Sequence, residues 1–78
     1  MTPETVQQII EQGLPGSHVE VQGDGSKFEA HVVSTEFAGM NTLKRHQKVY
    51  ALIGEHIASG AIHALTIKAY TPDESGAQ

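Results

Sequence analysis

The sequence contains no cysteine at any of its 78 positions. That excludes a disulfide framework, a thiolate zinc site and a thiol nucleophile. It also means that the chain alone cannot hold an iron–sulfur cluster, whose ligands are mostly thiolates. Positive charge is scarce as well: five Lys and Arg stand against nine Asp and Glu, a formal charge of −4. A protein whose main task is gripping a phosphate backbone is usually basic, so this balance argues against that task as the leading one. No apolar run approaches membrane length, and the N-terminus lacks the pattern of a secretory signal, so the expectation is a soluble cytoplasmic protein. At this length one small domain with a thin core is the most the chain can build.

Catalytic signatures are missing too. There is no GxSxG, no HExxH and no paired-carboxylate motif, and the spacing of Ser34, His46 and Asp24 does not demand that they meet. A chain this short offers little room for a water-excluding pocket, so no enzyme is expected. Gly23-Asp24-Gly25-Ser26 contains two glycines, but Asp24 would repel phosphate and no Walker lysine follows; it reads as a plain hairpin turn.

What is present is a clear alternation of periods. Thr2 can cap a helix, Pro3 suits its first position, and Val6, Ile9, Ile10 and Leu14 share one face before Leu14-Pro15-Gly16 ends it. From Ser17 to Gln22 the period falls to two, with Val19 and Val21 on one side. Phe28, Ala30 and Val32 repeat that alternation up to Ser34, which predicts a β-hairpin. Thr35 to Thr42 is irregular, with Phe37 and Met40 as plugs, and Asn41 or Thr42 caps a second helix. Leu43, His46, Val49, Tyr50, Ile53 and Ile57 mark its apolar face, with Gly54 as a candidate break into two helices. Ser59-Gly60 ends it, and Ile62 to Ala69 reads as a third strand. Thr71-Pro72 closes the domain, leaving 73–78 as a loose polar tail. The order α-β-β-α(-α)-β predicts an α+β two-layer sandwich, a three-stranded mixed sheet with helices on one face, whose last strand lies parallel to one hairpin strand.

Five histidines are many for this length. His46 and His56 are too far apart on one helix to share an ion. His18 and His31 lie on the two hairpin strands and are cross-strand neighbours only if the register permits. His46 sits one turn before Tyr50, on which its ring can pack. Lys44, Arg45 and Lys48 form a short basic patch, a solvated face or, together with His46, a docking surface for an acidic partner or nucleic acid. His63 differs from the rest. It opens an apolar strand just after a helix-ending glycine, which predicts an accessible imidazole at the rim of the sheet, able to ligate a metal; by the pattern alone a structural histidine and a ligand are both open readings.

Taken together, Val21-Gln22-Gly23-Asp24-Gly25-Ser26, Phe28-Glu29-Ala30, Phe37-Ala38-Gly39-Met40, Arg45-His46-Gln47-Lys48-Val49-Tyr50, Ile62-His63-Ala64-Leu65 and Thr71-Pro72 resemble the BolA-like family, in particular its smaller, acid-stress-linked bacterial branch. The resemblance covers nearly the whole chain. It implies a KH-like class II sandwich in which the third strand pairs in parallel with the first. It implies a monothiol glutaredoxin as partner and a [2Fe–2S] cluster shared between the two proteins. The partner's cysteine and a glutathione thiolate ligate one side of that cluster, and histidine from the family member ligates the other. His63 matches the family's ligand near the C-terminus. The second family ligand is a Cys or His in the hairpin loop, where this chain has Lys27; His18, His31, the partner or water are the alternatives. Alone, such a protein is expected to be a monomer or weak homodimer. Some members are described as transcriptional regulators, which makes DNA binding through the helix around Arg45 the second expectation.

Overall fold

In the computed structural model, which describes residues 1–25 and 27–76, the chain runs α1 (Pro3–Gly13), β1 (His18–Asp24), β2 (Lys27–Val33), a single 3-10 turn at Thr35–Phe37, α2 (Thr42–Ala58), β3 (Ala64–Tyr70) and α3 (Pro72–Gly76). Each start has a local cause. The Thr2 hydroxyl accepts from the Thr5 amide with Pro3 in the first turn of α1. The Asn41 side chain accepts from the Lys44 amide at the head of α2. The Ser34 hydroxyl accepts from the Glu36 amide at the 3-10 turn. Each satisfies a backbone donor that the first helical turn leaves free.

The sheet order is β1-β2-β3. The β1 and β2 strands are antiparallel, from the pair Asp24↔Lys27 at the turn to His18↔Val33 at the far end. The β3 strand lies parallel to β2, from Lys27↔Ala64 to Val33↔Tyr70. The parallel pairing is therefore with the second strand, not with the first as the family resemblance implied. Phe28, Ala30 and Val32 give β2 a continuous buried face, so it takes the centre; β1, with Glu20, Gln22 and Asp24 exposed, takes an edge. The hairpin is tighter than the sequence suggested. Gly23 and Asp24 are still paired, and Gly25 adopts φ +67°, a conformation only glycine takes without strain.

Both long helices cover one face of the sheet. Val6, Ile10 and Leu14 of α1 and Val49 and Ile53 of α2 pack on Val19, Phe28, Ala30, Val32, Leu65 and Ile67, with Phe37 and Ile62 closing the ends. Three expectations change. The second helix is unbroken for 17 residues, and Gly54 lies on its solvent side with nothing near it. Leu43 is 64% exposed, because the inward stripe of α2 runs through Arg45, Val49, Ile53 and Ile57 instead. The segment expected to be a loose tail from Asp73 is helical as far as Gly76; Ala77 and Gln78 lie outside the described residues.

Candidate functional site

The parallel pairing of β2 and β3 brings their first residues to the same end of the sheet, and the hairpin turn joins β1 to β2 at that end. His63 precedes Ala64, the partner of Lys27, so it stands beside the hairpin end formed by Asp24, Gly25 and Lys27. The residue is exposed, and its ring makes no hydrogen bond to any described residue. Its position is anchored from both sides. The Ile62 amide donates to the His56 carbonyl at 3.1 Å, with the Ile62 side chain fully buried. The Tyr50 hydroxyl donates to the Leu65 carbonyl at 2.9 Å. An exposed imidazole is thus held between two fixed neighbours, an arrangement suited to presenting a ligand nitrogen outward.

The two hairpin histidines are elsewhere. His31 is level with Lys68, four rows along the strand from Ala64, roughly 13 Å away at strand spacing. His18 is level with Val33, farther still. Neither can share an ion with His63, since metal–nitrogen bonds are about 2 Å. The two do occupy one face, the open side of the sheet, where they line a hollow of about 230 Å³ with Glu20, Val33, Tyr70 and Ser75. Each already has a carboxylate: His18 Nε2 lies 3.3 Å from Glu20 and His31 Nε2 lies 2.9 Å from Glu29. The His31 bond, helped by Lys68, lowers the Glu29 carboxyl below its ordinary range. Among the described residues no group of three or more His, Asp or Glu is arranged to hold a metal ion.

The basic patch is also reorganised. Arg45 does not point to solvent: its side chain is only 13% exposed. Its Nε donates to the Met40 carbonyl, its Nη1 to the Ala69 carbonyl, and its two terminal nitrogens make a bidentate pair with Glu74 at 2.6 and 3.1 Å. The guanidinium also lies over the Phe37 ring, 5.9 Å from its centroid. The reading of Arg45 as a docking residue is therefore corrected: nearly all of its donors are spent inside the molecule, tying α2 to β3 and α3. Lys48 is 3.5 Å from Glu36. Lys44 is exposed and has no acidic partner among the described residues. His46 is half-buried in a groove of about 270 Å³ with Thr42, Arg45, Lys68 and Tyr70.

Sequence reasoning missed Glu74, although a signal was there. Thr71-Pro72-Asp73-Glu74 has the spacing of a capping box with proline at the first helical position. Both reciprocal bonds are made: the Thr71 amide donates to the Glu74 carboxylate and the Glu74 amide to the Thr71 hydroxyl. Arg45 first, and the Thr71 amide second, hold the Glu74 carboxyl at a pKa of about 2.

Residues 2–74 match the profile of the BolA family, described as BolA-like protein. The chain is 44% identical to the acid stress protein IbaG of Escherichia coli K12 over 69 residues, covering 88% of this chain and 82% of that protein. It is 32% identical to the DNA-binding transcriptional regulator BolA of Haemophilus influenzae over 88 aligned positions, covering 95% and 84%. A bolA protein homologue from Coxiella burnetii superposes with a TM-score of 0.87 at 45% identity, covering 97% of both chains. The BolA domain of SufE1 from Arabidopsis thaliana superposes with a TM-score of 0.83 at 30% identity, covering 92% and 93%.

Proposed function

On the premise that the chain belongs to the BolA-like family, we propose that it is a non-enzymatic adaptor in iron–sulfur cluster handling, working with a monothiol glutaredoxin and lending His63 to a [2Fe–2S] cluster as cargo. The observation that carries this reading is an exposed imidazole at the rim of the sheet, free of hydrogen bonds to the described residues and fixed by its neighbours. The names of its relatives are those of stress proteins and regulators, not of enzymes. The occurrence of the same domain within SufE1 suits a module that works attached to other proteins.

The residues present fit a shared cluster and not a resident one. The chain has no thiolate to offer, and His18 and His31 are out of reach of His63, so neither can be the second ligand beside it. The sulfur ligands must come from the glutaredoxin and its glutathione. The chain contributes one neutral nitrogen, which suits a bond that must later be given up. Lys27 and Asp24 border it, and an ammonium has no lone pair with which to ligate. With Arg45 committed to Glu74, the docking role on α2 falls to Lys44 and to the exposed part of Lys48. The test is to mix the protein with cluster-loaded glutaredoxin and follow the visible absorption and circular dichroism. A heterodimer with a changed spectrum is expected for the native chain and not for His63→Ala. A His63→Ala protein that changes the spectrum just as the native chain does removes the ligand assignment.

A second reading, DNA binding, is favoured by the Haemophilus relative's name. On this chain it would have to use Lys44 and not Arg45. Binding to duplex DNA should then weaken with salt, and Lys44→Ala should lower the log–log salt slope by about 1. Absence of binding at low salt eliminates it.

A further inference from the structure

Four polar side chains with little or nothing to bond converge on one groove. Arg45 Nη1 donates to the Ala69 carbonyl, which sets the first turns of α2 beside the end of β3. Thr42, Arg45 and His46 are three and four residues apart and share one side of α2. Lys68 and Tyr70 are two residues apart and share one face of β3. Between helix and strand lies the groove of about 270 Å³, with Ile67 and Ala69 as its apolar lining. The Thr42 and Tyr70 hydroxyls and both His46 nitrogens make no hydrogen bond to any described residue. The Lys68 ammonium has only a loose ion pair, 3.9 Å from Glu29. Arg45 forms one wall, its donors already spent. Among the described residues no carboxylate lines the groove; Glu29 and Glu74 reach Lys68 and Arg45 from outside it. In a chain with nine Asp and Glu to five Lys and Arg, a hollow walled by two cations and three further donors is the exception.

We propose that this groove binds a phosphate-sized dianion, either free or as the end group of a phosphate monoester. The donor set decides the class. Lys68 supplies a charge-assisted bond, and the Thr42 and Tyr70 hydroxyls and the His46 ring N–H supply three more. Two of these come from the helix and two from the strand. A carboxylate holds both its oxygens in one plane, whereas a tetrahedral oxyanion turns oxygens toward helix and strand at once. A metal cation is the wrong class, because His46 is the one imidazole of the lining and stands beside two cations. The size agrees. A water takes about 30 Å³, so the groove holds a phosphate together with the first atoms of whatever it esterifies. Lys68 is five residues along the chain from His63, and His63 takes no part in the groove.

NMR titration of the native chain with inorganic phosphate, against sodium chloride at the same ionic strength and pH, tests this. Phosphate should move the resonances of Thr42, His46, Lys68 and Tyr70 to saturation, and chloride should not. Adenosine 5′-monophosphate and adenosine separate the two sources. Tighter binding of the monophosphate than of phosphate assigns an ester, equal or weaker binding assigns the free anion, and adenosine should move none of these resonances. Lys68→Gln, on an exposed side chain, should weaken phosphate binding about tenfold, the loss of one charge-assisted hydrogen bond. Thr42→Ala should weaken it about threefold. Lys27→Gln removes the same charge four rows along the sheet and should bind as the native chain does. Equal shifts with chloride, which mean screening only, overturn the proposal. So do the absence of saturable shifts, saturable shifts that map elsewhere, adenosine acting as its monophosphate does, or Lys68→Gln and Lys27→Gln binding alike. The native titration needs no variant and no glutaredoxin, so its outcome is independent of the role of His63.

Discussion

Removing the Tyr50 hydroxyl, as in Tyr50→Phe, tests the claim that α2 fixes the position of His63. The ring stays, so packing is conserved and only the 2.9 Å bond to the Leu65 carbonyl is lost. A bond of this kind contributes about 0.5–1.5 kcal/mol net. Tyr50 is 39% exposed, so water can reach the freed carbonyl, and the lower part of that range, about 0.5–1 kcal/mol, is expected. For a domain of this size about 1 kcal/mol corresponds to roughly 4–8 °C in Tm, so the Tm followed by circular dichroism should fall by about 2–8 °C. The loss should also be local. Amides from Ile62 to Leu65 should exchange faster, while those of β1 should not. If Tm holds within a degree or so and the His63 region keeps its NMR shifts, the hydroxyl is not what positions the imidazole, and the anchoring argument is wrong.

Three further outcomes follow from the packing. The Glu74 carboxyl is held near pH 2 instead of its ordinary 4.5, so its folded pKa is depressed. The Arg45–Glu74 tie is therefore fully present above about pH 4.5 and lost as pH falls toward 2. An NMR titration of the Glu74 carboxyl should show this, and a midpoint near 4.5 would refute the bidentate pair. Phe37→Ala empties the position of a fully buried ring and should cost about 3–5 kcal/mol. That is a large part of the roughly 4–12 kcal/mol expected for a chain this long, and a urea midpoint close to the native one would show that the ring is not the plug described above. Gly23→Ala forces the hairpin backbone apart near Lys27, so amide protection at the turn should drop; unchanged exchange there would mean that the close approach is not real.

The helical-period and period-two runs were enough to determine the two long helices, the hairpin and the α+β layering, because burial of one face depends only on which residues share it. The residues around His63 also pointed to an accessible imidazole, since a histidine placed between a helix-ending glycine and an apolar strand has no core position to take. The partners of charged and polar side chains were decided by tertiary structure alone. Arg45 read as part of a solvated basic patch because Lys44 and Lys48 flank it. Only the docking of α3 brings Glu74, 29 residues away in sequence, against its guanidinium. Strand order was decided in the same way. A crossover helix can deliver a parallel strand to either hairpin strand, and the choice of β2 follows from which face stays apolar once α1 and α2 have packed. That choice sets β1 at an open edge and gathers the hairpin turn and His63 at one end of the sheet. It also carries His18 and His31 to the far end, a separation that no local pattern encodes.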